Sequence, residues 1–201
     1  NGNFKINTIV VLLKNIQSIL LLTESDNCGS AFSLLRMLIE MTCVYFTIGN
    51  NEKVADDYYN FIKYRAEFEL NGNYPNEFLT RAPKNVHLQN YLNYGWLDML
   101  DNTKHKYIFS ELLNYTQVIN EELKDHFLVA YKYCCKYSHG NYLNQSIGPY
   151  NFVWILGRIG LILTNLAQEY SELFNDNMTF NGINLVNLLK EITNESFKLY
   201  S

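Results

Sequence analysis

Proline and glycine are scarce, with three and ten residues in a chain of 201. They do not gather with serine into a linker, and no charge run divides the sequence. One domain spanning 1–201, large enough for a well-buried core, is therefore expected. Cysteine is scarce as well. Cys28, Cys43, Cys134 and Cys135 are too few for a disulfide scaffold, and the adjacent pair is poorly placed to bridge, so a reducing cytoplasm fits best. A basic excess is missing: 16 Lys and Arg face 20 Asp and Glu, a net charge of -4. That balance argues against coating nucleic acid by bulk electrostatics and leaves room for a local basic pocket. The chain does not open with a basic segment, an apolar core and a small-residue cleavage site, so no secretory leader is expected.

Other signatures are missing too. There is no Gly-rich nucleotide loop followed by Lys and Ser/Thr, no His-Glu-x-x-His and no Gly-x-Ser-x-Gly. Cys135 and His139 have i, i+4 spacing, but no second Cys/His pair stands at zinc spacing, so neither a metal nor a cofactor is expected. Alternating strand patterns and internal repeats are absent.

What the chain has is helical periodicity. Apolar residues recur at helical spacing from Ile9 to Leu20, and Ala31 to Ile48 is apolar almost all the way round. Val54–Leu70, Val86–Leu100 with a break at Gly95, Tyr107–Tyr115, a helix from Asn120 to Ser138, another from Pro149 to about Phe174, and Ile183–Leu199 follow. Asn27 or Ser30 can cap the second helix, Gly49-Asn-Asn stops it, and Asn71-Gly72 ends the third. The longest irregular region runs from Pro75 to Lys84. Two apolar runs, Ala31–Ile48 and Phe152–Leu166, invite a membrane reading. Both are short for a span and carry Arg36 with Glu40, or Arg158, near their middles, so buried helices are expected and no membrane partner.

Arg36 and Glu40 are the charged residues of the Ala31 helix. An isolated buried charge is too costly for a helix to absorb, so the pair is expected to face inward to a partner. The best partner is the dense polar cluster from Tyr131 through Lys132, Lys136 and His139 to Gly140. Surface pairing explains little, because Glu before Arg is the better order at this spacing. One account is a buried network that fixes helix register. The other is an anion site in which Arg36 binds the ligand and Glu40 holds the guanidinium flat. His139, at a helix C-terminus with Lys132 and Lys136 one or two turns back, is either structural or able to move a proton beside a phosphate.

With these residues in view, the chain resembles an uncharacterised family of helical bacterial proteins. Its members pair Leu-Leu-Arg-x-Leu-x-Glu with a later Tyr-Arg-x-x-Ser-x-x-x-His-Gly. Here the first reads Leu34-Leu35-Arg36-Met37-Leu38-Ile39-Glu40. The second keeps Tyr131, His139 and Gly140, with Lys132 for the arginine and Cys135 for the serine. The likeness covers roughly 28–141 and includes Tyr94-Gly95-Trp96-Leu97. That family is itself similar to HEPN domains, helical bundles that include ribonuclease toxins, defence proteins and non-catalytic binding versions. HEPN nucleases carry an arginine, four to six residues, then a histidine. Lys132 to His139 has this spacing with lysine first. Arg81 to His87 fits it literally, but Pro83 breaks the register that would aim both at one phosphate.

The resemblance implies an all-α, single-domain, HEPN-like bundle that binds RNA or cleaves it without a metal. His139 and Lys132 would be catalytic, and Arg36, Glu40, Tyr131 and Lys136 would bind the ligand. RNA, a second copy of the chain or an antitoxin-like protein are the partners this implies. The alternative is a non-catalytic interaction module with a structural Arg-Glu-His network.

Overall fold

The computed structural model describes residues 2–25, 27–49, 51–101, 105–116, 122–138, 157–163 and 165–166. Among the described residues every regular element is helical: α1 (Gly2–Glu24), α2 (Cys28–Ile48), α3 (Glu52–Asn71), α4 (Asn76–Arg81), α5 (Leu88–Tyr94), a 3-10 turn (Gly95–Met99), α6 (Phe109–Tyr115) and α7 (Glu122–Ser138). A further helical stretch covers 157–163. The protein is all-α, as its periodicity predicts.

The chain ends its helices where the sequence supplies caps. Ala31 donates its backbone N–H to the Asn27 carbonyl, which places Asn27 at the cap and Ser30 inside the first turn of α2. Gly49, at φ +51°, stops α2. Asn51 then caps α3 through its side-chain oxygen, which accepts from the Val54 N–H at 3.3 Å. Gly72 closes α3 in the left-handed conformation, φ +70°, and donates to the Phe68 carbonyl. Some details depart from expectation. The region 75–84 contains α4, because Pro75 can precede a helix whose first N–H groups need no partner. The Val86–Leu100 helix starts at Leu88 and passes into a 3-10 turn at Gly95.

The chain forms two compact units, Asn1–Ile9 with Cys43–Gln117, and Val10–Thr42 with Val118–Ser201. In the first, an aromatic core surrounds Phe61. Tyr91 lies 5.4 Å and Phe78 6.2 Å from it in edge-on contact, and Tyr58 meets Trp96 edge-on at 5.3 Å. Gly95 lets these rings close up. A Cβ there would sit 2.5 Å from the Phe61 ring and 2.7 Å from that of Tyr91. Arg81 and Asp57 join in a two-pronged ion pair at 2.7 and 2.9 Å, with the guanidinium 5.0 Å from the Phe61 ring centre. The Thr47 and Thr116 hydroxyls bond at 3.2 Å in the interior.

In the second unit, Leu12, Ile16 and Ile19 of α1, Leu35, Leu38 and Ile39 of α2, and Phe127, Ala130 and Cys134 of α7 are buried. Each set follows the three-and-four spacing of one helix face. Each large side chain so enclosed contributes about 1.5–3 kcal/mol. Phe32 packs edge-on against Tyr133 at 5.5 Å. Gly29–Ile48 is long and apolar enough to cross a membrane, yet 67% of its most apolar window is buried within the protein, as in a core helix. The expected helix from Pro149 is described over 157–163 and 165–166; the remainder of that expectation, and the Ile183–Leu199 helix, fall outside the described residues.

Candidate functional site

The site grows from the register of α2. Leu35, Leu38, Ile39 and Thr42 take the fully buried face, and Met37, 40% exposed, marks the solvent side. Arg36 and Glu40 fall one turn apart on the flank between the two, and both are half-buried. The expected inward pair is thus a flank pair, each residue half-buried.

Across from it stands α7. The Tyr131 hydroxyl accepts a hydrogen bond from Arg36 Nη2 at 2.8 Å, and the guanidinium carbon lies 5.0 Å from the Tyr131 ring centre. Arg36 Nε is buried with no hydrogen-bond partner. Burial works against the charge of Arg36, but the bond to Tyr131 and the nearby Glu40 outweigh it, and its pKa is raised above the ordinary arginine value. The structure therefore brings together Arg36 and Tyr131, the arginine of one motif and the tyrosine of the other, with Glu40 and Cys135 close enough to act on the guanidinium.

The lysines stand elsewhere on α7. Lys132 follows Tyr131 by one residue, a turn of about 100° around a helix. Lys132 and Lys136 are both exposed and share a face with Val129, itself 60% exposed. They form a short basic row beside the Arg36–Tyr131 contact. His139 and Gly140 lie outside the described residues, as does the side chain of Ser138.

Three features escaped the sequence reading. Arg158 Nη1 donates to His126 Nδ1 of α7 at 3.1 Å, and burial lowers its pKa. Both Arg36 and Arg158 act electrostatically on the Cys134 thiol, although burial dominates there and pushes that thiol up to about 12. Cys134 is therefore a protonated core residue. Nothing in the spacing of 36, 126, 134 and 158 announces this grouping. Arg81, the literal HEPN-type arginine, is engaged by Asp57, and His87 sits exposed at the start of α5. Lastly, His105 is buried between two carboxylates. Among the described residues no three Cys, His, Asp or Glu side chains gather as a metal site would require.

Residues 5–151 match a family of unknown function (DUF5677), and the chain belongs to that family. No curated protein and no solved structure matches the chain.

Proposed function

We propose that this family member is a cytoplasmic, HEPN-like RNA-binding protein of the bacterial defence or toxin type that uses Arg36 to take a backbone phosphate. The observation that carries the reading is the Arg36–Tyr131 contact. A neutral hydroxyl orients the guanidinium without cancelling its charge, and the half-buried flank strengthens its attraction for an anion relative to open water. The exposed Lys132 and Lys136 row extends positive charge along α7, where a phosphodiester chain can follow it. Glu40, one turn from Arg36, serves to fix the guanidinium plane.

In the catalytic form of the proposal, Arg36 and Lys132 neutralise the scissile phosphate. His139 removes the proton from the ribose 2'-hydroxyl or protonates the leaving oxygen, leaving a cyclic phosphate. Such an attack needs no metal ion. The structural reading of the same contact is favoured by one specific feature, the buried Arg36 Nε. In that reading the protein is a non-catalytic interaction module and Arg36 fixes how α7 packs.

The deciding experiment titrates the purified chain into labelled single-stranded RNA at low salt and then follows the RNA in EDTA. Binding that weakens with salt, and weakens further in Arg36→Met and Lys132→Ala, supports the proposal. Cleavage lost in a folded His139→Ala variant supports the catalytic form, and cleavage that survives in that variant refutes the assigned mechanism. Absence of RNA binding at low salt rejects the RNA reading in favour of the interaction module.

A further inference from the structure

The C-terminal end of α3 carries a column of stacked rings, built within the first unit alone. Gly72, in the left-handed conformation, turns the chain, and Tyr74 folds back over Phe68. The two rings lie 4.4 Å apart with planes 17° from parallel, and Tyr74 stacks in turn on Phe78 of α4 at 5.3 Å and 20°. The Tyr74 hydroxyl donates to Gln89 Oε1 of α5 at 3.4 Å, which keeps the middle ring in line. Around Phe61 the rings meet edge-on instead. Edge-on packing closes a core, whereas a parallel column ends in a ring face.

Exposure rises along the column. Phe78 is 0% exposed, and Tyr74 and Phe68 are half-buried. Tyr74 covers one face of Phe68, so the surface that Phe68 keeps belongs to its opposite face and its rim.

A cation stands beside this end. Arg65 precedes Phe68 by three residues, a spacing that makes neighbours on a helix surface. It is half-buried, and its Nε is enclosed without a hydrogen-bond partner. A guanidinium so enclosed lacks part of its hydration and gains from an anion. Glu69, one turn further along α3, is exposed and does not fill that position.

We propose that Phe68 and Arg65 form a nucleotide site, in which a base extends the column on the outer face of Phe68 and Arg65 takes the attached phosphate. Every base has a π-face, so stacking on Phe68 tolerates any of them. The guanidinium fork matches phosphate oxygens. A ring alone would accept any planar apolar group, and a cation alone any anion. Side by side they select a ring that carries a phosphate. The ligand is a free nucleotide or one residue of a single-stranded RNA, which share this chemistry. The site does not rest on Arg36, which belongs to the other unit.

The test titrates the full chain with AMP and with adenosine at low salt, by calorimetry and by the Phe68 ring resonances in NMR spectra. AMP and adenosine binding should each weaken about tenfold in Phe68→Leu, the loss expected of one base–aromatic stack. Arg65→Met should weaken AMP and leave adenosine unchanged, and Glu69→Gln should tighten AMP alone. A short single-stranded RNA that binds at least about tenfold more tightly than AMP, and loses that gain in Phe68→Leu, identifies the strand as the source. An RNA no tighter than AMP identifies the free nucleotide. Absence of AMP binding at about 5 mM, affinity untouched in Phe68→Leu, or equal losses of AMP and adenosine in Arg65→Met would overturn the proposal. If Phe68→Leu does not fold, the native ring decides: its protons should move upfield as AMP is added, and a ring that does not move overturns the stacking.

Discussion

Replacing Tyr131 with phenylalanine removes one oxygen and keeps the ring, so it isolates the hydrogen bond on which the site rests. That oxygen accepts from Arg36 Nη2 at 2.8 Å, and hydrogen bonds to charged groups contribute about 1.5–3 kcal/mol. Both residues are half-buried, so water recovers part of the loss, and a destabilisation of about 1 kcal/mol is expected. The guanidinium stays near the ring, 5.0 Å from its centre, and retains a contact of about 0.5–1 kcal/mol. Arg36→Met removes both contacts while keeping an apolar stem, so about 2 kcal/mol is expected. This is less than the roughly 3–5 kcal/mol of a fully buried pair losing one member, because the half-buried Glu40 can be hydrated. Once Arg36 is gone, Tyr131→Phe should cost less than in the native chain by the energy of this one bond. The double-mutant cycle then gives a coupling of about 1 kcal/mol. Urea unfolding suits the measurement, since a neutral denaturant does not screen charge, and the four variants should share one m-value. Additivity within about 0.3 kcal/mol would show that the two side chains do not act on each other and would remove the basis of the site.

Gly95→Ala would drive a methyl to 2.5 Å from the Phe61 ring, so a loss of about 1–3 kcal/mol and a lower thermal midpoint are expected; an unchanged midpoint would mean the aromatic core yields freely. Asp57→Asn breaks the paired bonds to Arg81, whose side chain is 31% exposed, and should cost about 2 kcal/mol in urea, nearly all of it absent in an Arg81→Met background. Burial holds the Cys134 thiol neutral up to about 12, so ionisation above the ordinary thiol value favours the unfolded chain. Stability credited to this residue is complete below about pH 8.5 and declines by about 1.4 kcal/mol per pH unit above it. Unfolding curves from pH 8 to 10 should be flatter for Cys134→Ala than for the native chain. Site-resolved alkylation at pH 8 should modify the half-buried Cys135 well before Cys134, and equal rates would contradict the assigned burial.

The sequence by itself determined the helices and many of their ends. Leu35, Leu38 and Ile39 repeat at the spacing of one helix face, and Gly49, Asn51 and Gly72 sit where a helix must stop or start. These are local rules, satisfied within a few residues, and they are readable without a fold. The same local logic nominated Arg36 and Tyr131, since a charge in an apolar helix requires a polar partner somewhere. It overstated how deeply Arg36 is buried, because periodicity assigns a face but not how closely a neighbour covers its flank.

Tertiary structure decided what stands opposite what. Tyr131 rather than Lys132 meets Arg36 because one residue along α7 turns the side chain by about 100°. Arg81 is engaged by Asp57, 24 positions away, a pairing that its literal spacing to His87 does not announce. Arg158 and His126 are joined across 32 positions. His105 became a buried ring flanked by Asp101 and Glu111 because the backbone turns at Tyr107 and brings Glu111 back over it. Pairings of this kind depend on where separate helices pack, and packing depends on the summed burial of many side chains. No spacing within the chain encodes that sum.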